Sequence, residues 1–190
     1  MKFLHLSSPN QKWLMMVALI LAGEIIFSLP FHLTRYYRPS FLDNYGLSNT
    51  ELGDIFAIYG IFATAAYFFG GPIADRFPAK KLMAFSLGAT ALGGLVLLLS
   101  PSVLSLKILY GYWGVTTILL FWAPLIRSTR NWGGTLFQGK AFGLLDGGRG
   151  LVAALLASIG VIILSYSFGP ENVVTNYRPG AKLNGIVSYY

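Results

Sequence analysis

Three groups of residues in this chain could do chemistry. Glu24, Asp146 and Arg149 stand inside otherwise apolar stretches. A lone charge at such a depth in a bilayer costs about 2.5 to 3.5 kcal/mol on insertion scales, so each needs a counter-charge, a proton or water. A rise of 1.5 Å per residue puts Arg149 about 12 Å and Glu24 about 16 Å above the same membrane boundary. The spacing therefore predicts an ion pair between the first and fifth apolar stretches, serving either a solute or coupling role or packing alone. The second group is a charged turn at 71–81 (GPIADRFPAKK), where Gly71, Asp75, Arg76, Lys80 and Lys81 sit between two long apolar runs. A link this tight leaves no room for a folded loop, so these charges must act at the membrane rim. The third is 29–38 (LPFHLTRYYR), in which a proline loosens a helix end and Arg35 and Arg38 follow among aromatics such as Tyr36. Guanidinium groups grip carboxylate, sulfonate or phosphate oxygens bidentately, which makes this an anion-binding composition. Arginines at such a position also snorkel to an interface without binding anything.

Composition excludes several classes. With 55% hydrophobic and 11% charged residues, and a mean hydropathy of +0.61, the chain is too apolar for a soluble surface. The net charge of +7 is scattered at the ends of apolar runs, without the dense patch that a nucleic-acid backbone needs. No cysteine is present, and His5 and His32 are the two histidines, so neither a thiolate metal site nor a zinc site built on histidines alone is expected. Residues 134–141 (GTLFQGKA) nearly spell a nucleotide-binding loop, but Ala141 lacks the magnesium-holding hydroxyl and an apolar helix precedes it. No cofactor and no enzymatic constellation is expected.

The elements that must position these groups follow from the bilayer. A spanning helix needs about 20 mostly apolar residues. Five stretches qualify, at roughly 13–33, 52–73, 82–100, 103–126 and 141–168, and 183–190 reads as the start of a sixth. All must be helical, because an unpaired backbone group in hydrocarbon costs several kcal/mol and no stretch alternates like a barrel strand. The expected fold is thus an all-α transmembrane bundle. Eight Lys and Arg (Lys2, Lys12, Arg76, Lys80, Lys81, Arg127, Arg130, Lys140) fall on one side against five (Arg35, Arg38, Lys107, Arg178, Lys182) on the other. That bias places the amino terminus in the cytoplasm. On the fourth stretch Tyr110, Trp113, Thr117 and Phe121 share a face that could line a cavity, or form part of an aromatic belt against lipid. On the fifth, Gly139, Gly143 and Gly147 form a small-residue seam for close approach of another helix.

The charged turn resembles the loop between helices 2 and 3 of the major facilitator superfamily, with Pro78 in place of that loop's second glycine. The stretch 121–151, with its WAPLIR and GLLDGGRGL phrases, resembles bacterial sugar and organic-anion members of the superfamily, and 29–38 is similar to the helix-1 region of its organic-anion and sugar-phosphate branch. The resemblance implies the amino-terminal half of a twelve-helix transporter in a bacterial inner (plasma) membrane, lacking its carboxy-terminal half. It implies secondary active transport by alternating access. Asp75 and Arg76 would form a gating latch with the cationic end of helix 4. Arg35 would grip an anionic solute, with Tyr36, Tyr110, Trp113, Thr117 and Arg149 as neighbours. The implied partners are the small-molecule solute, the lipid bilayer, the other half and a coupling ion, either a proton or a counter-anion. The competing expectation is a non-transporting membrane scaffold or sensor that keeps the half-bundle.

Overall fold

The computed structural model describes residues 9–168, so the expected sixth helix at 183–190 lies outside the described residues. The chain divides into two compact units, Met1–Ala153 and Ala154–Tyr190. Within the first unit the described elements are α1 (Pro9–Ile25), a π-helical turn (Ser28–His32), α2 (Leu33–Tyr36), α3 (Arg38–Tyr45), α4 (Asn49–Arg76) and α5 (Ala79–Gly94). A 3-10 segment (Leu95–Leu99), α6 (Val103–Thr117), a second π-helical turn (Ile118–Trp122), α7 (Ala123–Gly133) and the start of α8 (Gln138–Phe168) follow. The second unit, where described, is the rest of α8, with Leu155, Ile159 and Ile162 exposed. Every element among the described residues is helical. Among the described residues four helices are long and apolar enough to cross a membrane, and the bent pair formed by Pro9–Ile25 and Ser28–Tyr36 makes a fifth if it counts as one span.

Several boundaries move from their expected places, each for a local reason. The first span is broken rather than continuous over 13–33, with a bend of 41°. Pro30 has no N–H to continue the ladder, and the N–H groups of Phe31 and His32 both reach back to the Phe27 carbonyl, at 3.0 and 3.2 Å. The connection to α4 contains α3, which starts on Arg38-Pro39, buries Phe41 and stops at Gly46 in the left-handed region at φ 60°. Helix α4 begins earlier than 52 because Ser48 and Glu51 form a capping box, with the Ser48 N–H donating to Glu51 Oε2 at 2.8 Å and the Glu51 N–H donating to Ser48 Oγ at 3.2 Å. It also runs through Pro72 to Arg76. The fourth span continues past 126 to Gly133 by absorbing the second π-helical turn before Pro124. The fifth starts at Gln138 instead of 141.

Lipid tails are as apolar as the side chains they solvate, so helices in a bilayer associate through close packing and interhelical hydrogen bonds. Helix α6 is held both ways. Its Gly114 lies so near α4 that a Cβ there would sit 2.6 Å from the Tyr59 carbonyl oxygen and 3.1 Å from the Ala63 nitrogen. Towards α5 the Trp113 indole N–H donates to the Thr90 carbonyl at 2.9 Å, and Thr90 Oγ1 donates to Thr116 Oγ1 at 2.9 Å. A second apolar cluster joins α1 to α7 and α8 through Met16, Leu19, Ile26, Leu125 and Leu145. There the Trp132 indole donates to the Lys12 carbonyl at 2.7 Å, and Gly148 lets Ile20 approach so closely that any Cβ would collide with it. Outward-facing Phe68, Leu98 and Leu104 are mostly exposed, as lipid-facing side chains must be.

Candidate functional site

The broken first span leaves a cavity of about 520 Å³. Phe27, Phe31, His32, Thr34, Arg35 and Arg38 line it from the first span and the start of α3, Phe56 from α4 and Arg149 from α8. Its walls are aromatic, with Phe31 stacked on Phe56 at 5.6 Å between ring centroids. Its lining charge is that of three guanidinium groups, with no carboxylate among the lining residues.

Glu24 is the pivot. It sits one residue before the end of α1 and is only 5% exposed. Its Oε2 lies 3.2 Å from Arg149 Nε and its Oε1 lies 2.9 Å from His32 Nε2. The Arg149 Nε–H also points at the Gly23 carbonyl at 3.1 Å, and its guanidinium carbon stands over the rings of Phe27 and Trp122 at 5.7 and 5.6 Å. Gly23 makes room for this approach, since a Cβ there would be 3.2 Å from Arg149 Cδ. Two aromatic faces and a carboxylate therefore fix the guanidinium, satisfying a cation that bare hydrocarbon would reject.

The expected pair between the first and fifth spans is present. His32 is the member that sequence reasoning missed. Eight residues separate it from Glu24, which on a straight helix means a rise of about 12 Å, and the bend and π-helical turn bring the two side chains together. The clue available was a histidine two residues after a proline inside an apolar run.

Other expected residues sort differently. Arg35 lines the cavity and is exposed, whereas its neighbour Tyr36 has its ring tilted against that of His32, 5.6 Å between centroids, without lining the cavity. Arg38 also lines it, and both Arg38 Nε and Nη2 donate to Asn49 Oδ1, at 3.2 and 2.8 Å, tying α3 to the start of α4. Tyr110, Trp113 and Thr117, expected on a cavity face, are fully buried in the core instead. There Thr117 Oγ1 donates to the Trp113 carbonyl and meets the Tyr59 hydroxyl at 2.7 Å. The same core burial takes Trp113 away from any lipid-facing belt. Asp146, expected among the buried charges, has a side chain 70% exposed and reaches Arg149 Nη1 at 3.7 Å. It lies on the outer face of α8, one residue from Gly147.

At the rim, Asp75 Oδ1 lies 3.9 Å from Arg127 Nη1, and Arg127 Nη2 donates to the Phe77 carbonyl at 2.9 Å. The acid of the charged turn thus meets the cationic end of the fourth span, while Arg76, Lys80 and Lys81 are exposed and Gly71 has open space beside it. A Cβ placed at Gly139, Gly143 or Gly147 would also meet nothing within 4 Å. Among the described residues the seam has no partner helix. No cluster of His, Cys, Asp and Glu fit to hold a metal ion occurs among the described residues.

Comparison of the sequence with known proteins shows its family. The chain is 28% identical over 157 residues to the inner membrane protein YihN of Escherichia coli (strain K12), covering 83% of this chain and 37% of that protein. It is 29% identical over 162 residues to the inner membrane protein YqcE of the same organism, covering 85% of this chain and 38% of that protein. The chain thus spans well under half the length of these curated relatives. No solved structure matches it. Residues 13–188 match the family model of the Major Facilitator Superfamily, and the chain belongs to that superfamily.

Proposed function

We propose that this chain forms the amino-terminal half of a secondary active transporter that carries a small anionic solute, a sugar phosphate, sulfonate or carboxylate, by alternating access. The observation that carries the reading is the cavity beside the broken first span. Three guanidinium groups, Arg35, Arg38 and Arg149, line it among aromatic walls, and the carboxylates paired with them, Glu24 and the exposed Asp146, are both on Arg149. Such a wall offers bidentate grips for oxyanions and flat faces for a carbon skeleton. Arg35 is the solute grip, because Arg149 is already committed to Glu24 and Arg38 to Asn49. A carboxy-terminal half closes the site from the other side, and Gly139, Gly143 and Gly147 face it. Asp75 with Arg127 acts as the latch at the cytoplasmic rim. The protein resides in a bacterial inner membrane with its amino terminus in the cytoplasm, as the excess of Lys and Arg on that side supports.

The test is a ligand-stabilisation screen of the full-length protein against sugar phosphates, sulfonates and carboxylates, followed by calorimetry on Arg35→Lys. A point charge cannot reproduce the guanidinium fork. Losing one charge-assisted contact costs about 1.5 to 3 kcal/mol, so affinity falls roughly tenfold to more than a hundredfold. Equal affinity in Arg35→Lys and the parent would move the anion grip away from Arg35.

A further inference from the structure

The carboxylate of Glu24 reaches across the break in the first span. Glu24 belongs to α1 and His32 ends the π-helical turn beyond the break, so their 2.9 Å contact ties the two segments together. An ionised carboxylate only accepts hydrogen bonds, so the imidazole hydrogen of this contact belongs on Nε2. That leaves a lone pair on Nδ1. This nitrogen is buried without a hydrogen-bond partner, on a side chain that lines the cavity. A buried polar atom with no protein partner is costly, and one on a cavity-lining side chain invites a proton or a hydrogen-bond partner in another state of the protein. The charged and titratable groups around the ring are Glu24 from α1, Arg35 and Tyr36 from its own segment, and Arg149 from α8. Three wall cations against Glu24 and the exposed Asp146, both paired with Arg149, leave a net charge of one with the imidazole neutral, and two with it protonated.

We propose that His32 is the proton-binding residue of this site: it takes one proton on Nδ1 with Glu24 as its counter-ion, so that a proton and the anionic solute bind cooperatively. The solute half of this statement rests on the anion reading above. The step is a simple acid–base one, in which the Nδ1 lone pair forms an N–H bond with a proton from solvent and the imidazole becomes imidazolium. No other covalent bond is made or broken. The imidazolium holds Glu24 through a charge-assisted hydrogen bond. The carboxylate then divides its charge between two cations, and Arg149 presents more of its own to the cavity. Linkage is reciprocal, so an anion that prefers the protonated site raises the ring's proton affinity by the same factor, typically about 5- to 150-fold.

The test uses the chain in lipid nanodiscs with nitrogen-15-labelled histidine and His5→Gln, which leaves His32 as its one histidine. The expected spectra show the hydrogen on Nε2 at alkaline pH and a second proton arriving on Nδ1 as the pH falls to about 5. In Glu24→Leu, which offers no acceptor, the preference for Nε2 disappears. A ring that stays neutral throughout, or that carries its hydrogen on Nδ1 from the start, overturns the proposal while leaving the Arg35 reading intact. The second arm repeats the titration with inorganic phosphate or sulfate as the probe anion. The expected result is a rise in proton affinity of at least about fivefold. A titration identical with and without both anions overturns the coupling. The anion reading itself fails by a separate result, when no oxyanion of any class stabilises the full-length protein against heat at any pH.

Discussion

Replacing Arg149 by glutamine removes more than one contact. The ion pair to Glu24 at 3.2 Å, the hydrogen bond to the Gly23 carbonyl at 3.1 Å and the stacking over Phe27 and Trp122 all end at once. Glu24, 5% exposed, keeps only the His32 contact as its ionic partner. Breaking a buried pair by removing one partner costs about 3 to 5 kcal/mol. Glu24→Gln is milder, because an amide oxygen can still accept at that position and Arg149 keeps Gly23 and the two rings; about 1.5 to 3 kcal/mol is expected. In the double variant neither charge is stranded, so the two costs do not add. A coupling energy of about 1 to 3 kcal/mol is expected for groups in contact. The assay is denaturant unfolding in bicelles followed by tryptophan fluorescence, and Trp122, against Arg149, supplies a local reporter. A coupling below about 0.5 kcal/mol, the value for sites that do not interact, would refute the pair. Glu24→Leu with Arg149→Leu then separates the two roles the pair could play. Apolar replacement of a buried pair is often neutral or stabilising, so a double variant that folds normally but cannot transport marks the pair as functional. One that transports normally marks it as packing.

Asp75→Asn is expected to slow transport by the full-length protein with little change in abundance, because its contact to Arg127 is long and exposed and acids contribute little to topology; wild-type transport rates would remove the latch. Gly114→Leu should unfold the bundle or part α4 from α6, since even a Cβ would press to 2.6 Å from the Tyr59 carbonyl, and an unchanged unfolding midpoint would contradict the packing described. Gly143→Leu and Gly147→Leu should leave the stability of this chain unchanged, as a Cβ meets nothing within 4 Å at either position. In the full-length protein both should weaken the docking of the two halves; normal cross-linking and transport would mean that the seam faces lipid.

By itself the sequence determined what the bilayer enforces. Hydrocarbon thickness requires runs of about 20 apolar residues and forces them to be helical, so the existence and order of the spans are legible in the residues alone. The cost of charge at depth singled out Glu24 and Arg149 for the same reason. The superfamily could be read from the charged turn and from the phrases around 121–151. Only the tertiary structure decided the rest. A helix that is apolar all round carries no pattern to say which face meets protein and which meets lipid. Nothing in their spacing could therefore put Tyr110, Trp113 and Thr117 into the core rather than on a cavity wall. The depth of Asp146 could be read but its rotation about α8 could not, and rotation turned it outward. His32 joined the site through a bend of 41°. A proline announces that a helix can break, but the direction of the break, and so the partner it delivers to Glu24, is set by how α1, α7 and α8 pack together.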